Sequence, residues 1–154
     1  MSDGLADVIR AAKSLQPDYG RIGPMPIQLN HTIVYVRDQQ ASAAFLSQIL
    51  GLPAPTRFGP FSVVQTGETS LDFRSADSDE IRPQHYAFLV SEAEFDQIFG
   101  RIEAQKLPYW ADPHHEQPSE INRRDNGRGV YFDDPDGHIL EILTRPYGSG
   151  GWNA

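Results

Sequence analysis

Apolar and polar positions between residues 27 and 146 change period in the same order twice, once in each half of the chain. The run LNHTIVYV (29–36) is β-branched and predicts a strand. Asp38 then caps QQASAAFLSQIL, where Ala41, Ala44, Phe45 and Ile49 make a stripe at helical spacing and Gly51 stops it. In the second half QHYAFLV (84–90) predicts a strand, and Ser91 with Glu94 spells a capping box ahead of Phe95, Ile98, Phe99 and Ile102. Short strand-like pieces follow each helix: FSVVQTG and TSLDFRS in the first half, RGVYFDD and GHILEILT in the second, the last two joined by the turn DPDG. Each half therefore reads β-α-β-β(-β), an α+β pattern that says the same thing twice.

The ends differ from this repeat. Leu5, Val8, Ile9, Ala12 and Leu15 predict a short amphipathic N-terminal helix, and the Pro- and Gly-rich PDYGRIGPMP that follows reads as a linker, so 1–26 precede the domain. Residues 147–154 are Gly-rich and are expected to form a flexible tail on which Trp152 is free to dock.

Side-chain alternation turns the repeat into a site. His31 shares a strand face with Ile33 and Tyr35, and His85 holds the matching place beside Ala87 and Leu89. Leu71-Asp72-Phe73 and Leu140-Glu141-Ile142 repeat one apolar, acidic, apolar triplet whose outer members face the helices. Two such units related by a twofold would gather His31, Asp72, His85 and Glu141 on the concave face of a curved sheet. Two imidazoles and a carboxylate, His31, His85 and Glu141, make a facial set suited to Fe(II), Mn(II), Zn(II) or Ni(II), with positions left open for substrate. Asp72 is either a fourth ligand or a partner of Arg74 or of a ligand histidine.

Composition narrows the chemistry. The 154 residues, 39% hydrophobic, suit one domain with its own core. A formal charge of −8 argues against nucleic acid or anionic membrane and for a small-molecule partner. With no cysteine, metal must be bound by His and carboxylates, and no organic cofactor is predicted. The first 25 residues lack a signal-peptide pattern and no apolar run is long enough to span a membrane, so a cytoplasmic protein is expected.

The segments HTIVYV, HYAFLV and above all GRGVYFDDPDGHILEILT (127–144) resemble the vicinal oxygen chelate superfamily, which includes glyoxalase I, extradiol dioxygenases, fosfomycin-resistance enzymes and bleomycin-resistance proteins. The resemblance covers about residues 27–146. It implies two βαβββ modules, about 27–80 and 81–146, forming a cupped, half-open mixed sheet with helices outside, and a homodimer. Whether the modules of one cup come from one chain or from two swapped chains stays open. It also implies a metal that chelates adjacent oxygens of a small molecule, in isomerase, lyase or dioxygenase chemistry, with Tyr131 corresponding to an active-site tyrosine of extradiol dioxygenases. The acid-base histidine of those dioxygenases is replaced here by the segment Asn122-Arg123-Arg124. The alternative is a bleomycin-resistance-like protein that sequesters a small molecule without turnover.

The long polar loop 111–129 stands where a lid would lie. His114 and His115 in it are acid-base candidates or solvated residues, and Arg123, Arg124 and Arg128 either orient an oxygen-rich substrate or balance Glu120 and Asp125. His138, three residues before Glu141, faces away from the ligands and reads as a structural or surface residue.

Overall fold

The computed structural model describes residues 27–78 and 80–150. The expected N-terminal helix and linker, and Trp152, lie outside the described residues. The elements are β1 (His31–Val36), α1 (Gln39–Leu50), β2 (Thr56–Phe58), β3 (Phe61–Thr66), β4 (Thr69–Ser75), β5 (His85–Leu89), α2 (Glu92–Ala104), β6 (Tyr109–Trp110), a 3-10 turn (Arg124–Asn126), β7 (Gly129–Asp133) and β8 (Ile139–Leu143). They form two four-stranded sheets, ordered β1-β4-β3-β2 and β5-β8-β7-β6. In each sheet the first strand runs parallel to the last, and the remaining pairs are antiparallel. This is the α+β pair of βαβββ modules. The repeat holds at the level of register: Ile33 lies opposite Asp72 and Ala87 opposite Glu141, so each histidine stands two residues ahead of its acidic residue's partner.

Local chemistry sets the helix ends. The Asp38 carboxylate accepts from the N–H groups of Gln40 and Ala41, and Gly51 closes α1 at φ 72°; a cap of this kind contributes about 1 kcal/mol. Ser91 and Glu94 form the expected reciprocal capping box at the start of α2. The buried face of α2 is Phe95, Ile98 and Ile102, with Phe99 packed alongside. For α1 the buried face is rotated from the expected stripe. It is built on Ser42, Ala43, Leu46, Ser47 and Ile49, while Ala41 is exposed. The reason is polar: the Ser42 hydroxyl donates to Asp136 at 2.9 Å, so a serine occupies the core side of the helix.

Val34, Val36, Leu71 and Phe73 from one sheet, and Val130, Phe132, Leu140 and Ile142 from the other, join the helices in a single apolar cluster that crosses both modules. A buried polar knot reinforces the junction. Asp136, in the DPDG turn, accepts from the Arg37 backbone N–H at 3.1 Å and from Ser42, and its Oδ1 lies 2.9 Å from Arg37 Nε. His138 is 1% exposed. Its Nδ1 accepts from the Gln84 N–H at 3.0 Å and its Nε2 donates to the Tyr35 carbonyl at 3.0 Å, a structural role and not a surface one. The opposite faces of β1 and β5, with His31, Ile33, Tyr35, His85, Ala87 and Leu89, are exposed in the single chain. No described helix is long and apolar enough to cross a membrane.

Candidate functional site

The second sheet carries a concentrated site. Ala87, Glu141, Tyr131 and Trp110 lie opposite one another across β5, β8, β7 and β6, so they share a face, and His85 stands two residues from Ala87 on that face. Glu141 is fully buried, a position a carboxylate tolerates only when both oxygens are compensated. One oxygen is. Tyr147 donates its hydroxyl to Glu141 Oε1. Since that hydroxyl spends its proton on the carboxylate, Tyr131 is the donor in the 2.6 Å bond between the two tyrosines. The relay therefore runs Tyr131 to Tyr147 to Glu141. Burial, reinforced by the hydrogen bond to Glu141, raises the Tyr147 phenol above its ordinary pKa. Burial, followed by the hydrogen bond to Tyr147, raises Tyr131 further. Both phenols stay protonated and donate.

The other oxygen, Glu141 Oε2, is buried without a hydrogen bond and lies 3.3 Å from His85 Nε2. His85 Nδ1 is 3.2 Å from the Ile139 carbonyl, an atom that only accepts, so in the neutral imidazole the ring proton sits on Nδ1 and Nε2 is the nitrogen that faces Glu141 with a lone pair. With the ring neutral, Nε2 and Oε2 are two electron-rich atoms facing each other, an arrangement that a cation between them would compensate. Two donors that each hold one ion at about 2.1 Å are about 3.0–3.4 Å apart when they subtend 90–109°. The His85–Glu141 spacing fits a divalent metal. The His85 ring also stacks on Tyr131, with centroids 5.8 Å apart.

His31 and Asp72 occupy a different hollow of about 470 Å³ on the first sheet, together with Ile33, Phe58, Val63 and Ser70. There His31 Nδ1 lies 2.9 Å from Asn30 Oδ1, and Asp72 accepts from Ser70 Oγ at 2.8 Å. Within one chain, therefore, His31 does not join His85 and Glu141. Among the described residues no three His, Asp or Glu side chains are gathered closely enough to hold an ion.

Tyr147 was not visible as a site residue in the sequence. It lies at the start of the stretch expected to be a flexible tail, yet Gly148 and Gly150 donate their N–H groups to Asp125 at 3.1 and 2.9 Å, which turns the chain back over the sheet. The Arg124 guanidinium lies 5.9 Å from the Tyr147 ring centre. Arg128 does not balance Glu120 or Asp125. It bonds Glu92 at 2.7 Å and Asp96 at 2.6 Å at the start of α2 and covers the Phe95 ring.

The loop 111–129 is pinned along the outer edge of the sheet. Asp112 accepts from the N–H groups of His114, Glu116 and Gln117 at 2.8, 3.2 and 2.7 Å. Burial alone would raise the Asp112 pKa, but these backbone donors outweigh it and hold it below the ordinary value. Asn122 pairs its backbone with Gly129, and a Cβ at Gly129 would come within 2.7 Å of the Asn122 amide. His115, at φ 62°, lays its ring on Trp110 with centroids 3.8 Å apart and an interplanar angle of 15°.

Comparison with known proteins places this geometry. The family model described as Glyoxalase/Bleomycin resistance protein/Dioxygenase superfamily matches residues 28–142. Glutathione transferase FosA of Serratia marcescens is 31% identical over 121 residues, 74% of this chain and 78% of that protein. Among solved structures, Oxidase ChaP-H1 is 62% identical with a TM-score of 0.77, covering 79% of this chain and 98% of that one. Oxidase ChaP-H2 is 59% identical with a TM-score of 0.79, covering 82% and 100%.

Proposed function

The chain belongs to the glyoxalase/bleomycin resistance protein/dioxygenase superfamily, and from that membership we propose that it is a metal-dependent oxidase acting on a small molecule with neighbouring oxygens. The observation that carries this reading is the buried, unpartnered Glu141 Oε2 facing His85 Nε2 at 3.3 Å. His85 and Glu141 of one copy, with His31 of a second copy, would hold one divalent ion. Bound there, the ion supplies Lewis-acid polarisation of adjacent oxygens and, as a redox metal such as Fe(II), electron transfer with dioxygen.

The protein's own residues do the rest. Tyr147 fixes the Glu141 carboxylate so that one oxygen stays free for the ion, and the Ile139 carbonyl fixes the His85 tautomer. Tyr131, stacked on His85, forms a wall of the substrate cup and keeps a protonated hydroxyl beside the ligands. Likeness to two proteins named oxidases, at 62% and 59% identity over nearly their whole lengths, favours oxidation over isomerase or lyase chemistry.

A second copy is favoured because His31 lies on a separate sheet, while Ile33, Tyr35 and Leu89 on the open faces are 39%, 51% and 62% exposed. β1 and β5 are also sheet edges with one neighbour each. The test is to load the protein anaerobically with Fe(II), admit oxygen, and follow oxygen uptake with catechols and 2-hydroxy ketones. Near-stoichiometric iron and uptake with at least one compound class are expected. Tight binding of these compounds with no uptake by iron-loaded protein overturns the oxidase reading and leaves a sequestering protein.

A further inference from the structure

The face that carries Glu141 extends beyond the metal ligands to β6, and its far end holds a second cluster. Trp110 lies opposite Tyr131, and Asp133 is two residues from Tyr131 on the same strand, so both present to the face that carries Glu141. His115 reaches over from the pinned loop. Its ring lies flat on Trp110 and its Nε2 is 3.3 Å from Asp133 Oδ1, an oxygen buried with no hydrogen bond of its own. Unlike His85, whose Nδ1 faces a backbone carbonyl, His115 has no acceptor beside Nδ1 among the described residues, so the nearby Asp133 carboxylate favours the tautomer with the ring proton on Nε2 and Nδ1 as an acceptor. Nδ1 makes no hydrogen bond to any described residue, and the side chain is 36% exposed. The left-handed backbone of His115 is held by the three N–H bonds of its neighbours to Asp112, and its ring is held against Trp110 and Asp133. A stacked, oriented imidazole with one free acceptor is a recognition device.

We propose that Trp110, His115 and Asp133 form a second subsite of the cup, in which His115 Nδ1 accepts a hydrogen bond from a substrate hydroxyl remote from the oxygens held at the metal. Trp110 and β6 are two strands from Glu141, which puts this hydroxyl about 10 Å from the ligand pair. The substrate class is thus a flat, elongated phenol or polyol with chelating oxygens at one end and a hydroxyl donor at the other. Trp110 and His115 contact it, and Asp133 is a positioning residue acting through His115. This inference rests on the metal-centre reading above.

The test compares naphthalene-2,3-diol with naphthalene-2,3,6-triol, binding to full-length protein loaded with redox-silent Zn(II) and followed by naphthol fluorescence. The unaltered protein is expected to bind the triol about five- to tenfold more tightly. His115→Gly suits the left-handed backbone and should bring the ratio close to one while leaving zinc content unchanged. Asp133→Ala should lower the ratio towards one. His115→Asn, which keeps an acceptor near the Nδ1 position and tolerates that backbone, should retain part of the preference. Diol binding with an equal triol preference in His115→Gly, or with none in the unaltered protein, overturns the subsite alone. If neither compound binds the zinc-loaded protein, the metal-centre reading fails and the subsite falls with it.

Discussion

The Tyr147 hydroxyl donates to Glu141 Oε1, leaving Glu141 Oε2 as the carboxylate oxygen that faces His85. A residue near the C-terminus thereby decides which oxygen of a buried carboxylate is free. Tyr147→Phe should lower Zn(II) affinity about 10- to 100-fold, as loss of an outer hydrogen bond does at other metal sites. Competition with a chromophoric chelator measures it. Unchanged zinc affinity in this variant would mean that the tyrosine relay has no part in holding the carboxylate.

Asp136 joins the modules from inside, where it holds Ser42 and the Arg37 backbone. Asp136→Ala leaves the Ser42 hydroxyl and the Arg37 N–H without their acceptor, and should destabilise the fold by about 2–4 kcal/mol in urea. The Arg37 side chain is 56% exposed, so its half of the ion pair is screened by solvent. Arg37→Ala should cost less than about 1 kcal/mol. Equal losses in the two variants would place the strength of the knot in the ion pair instead of the buried hydrogen bonds.

The Asp112 carboxyl titrates below its ordinary value in the folded chain. Its contribution to stability is fully present above the unfolded pKa and is lost as pH falls through the lower folded one. In Asp112→Asn the decline in denaturation midpoint between about pH 5 and pH 3 should therefore be shallower than in the unaltered protein. Parallel pH curves for the two proteins would contradict this role for the backbone bonds of the loop.

Much of this architecture is legible in the order of residues because its cues are local. Asp38, Gly51 and the Ser91–Glu94 box mark both helices, and alternation puts Val34, Val36, Leu71, Phe73, Leu140 and Ile142 on the helix side of the sheets. The misses share one cause, dependence on distant partners. Ser42 is buried because Asp136, far along the chain, needs a donor, and this turned the face of α1 away from the stripe of alanines. Arg128 found Glu92 and Asp96 on another element in place of its sequence neighbours. Tyr147 follows the last strand, beyond any periodic pattern, and reaches Glu141 only because Asp125 collects two glycine N–H groups of the tail. Alternation likewise gave His31 its face, but within one chain that face lies on a different sheet from His85 and Glu141.

The direct test of the proposed centre is metal content in mixed dimers of His31→Ala and His85→Ala chains, each made separately and also coexpressed with distinguishable tags. Each variant alone should lose the ion. A mixed dimer in which His31 of one chain meets His85 and Glu141 of the other regains one intact site. About half the metal of the unaltered dimer is therefore predicted by mass spectrometry of the doubly tagged species. Doubly tagged dimers as empty as the parent variants would contradict a centre shared between two copies.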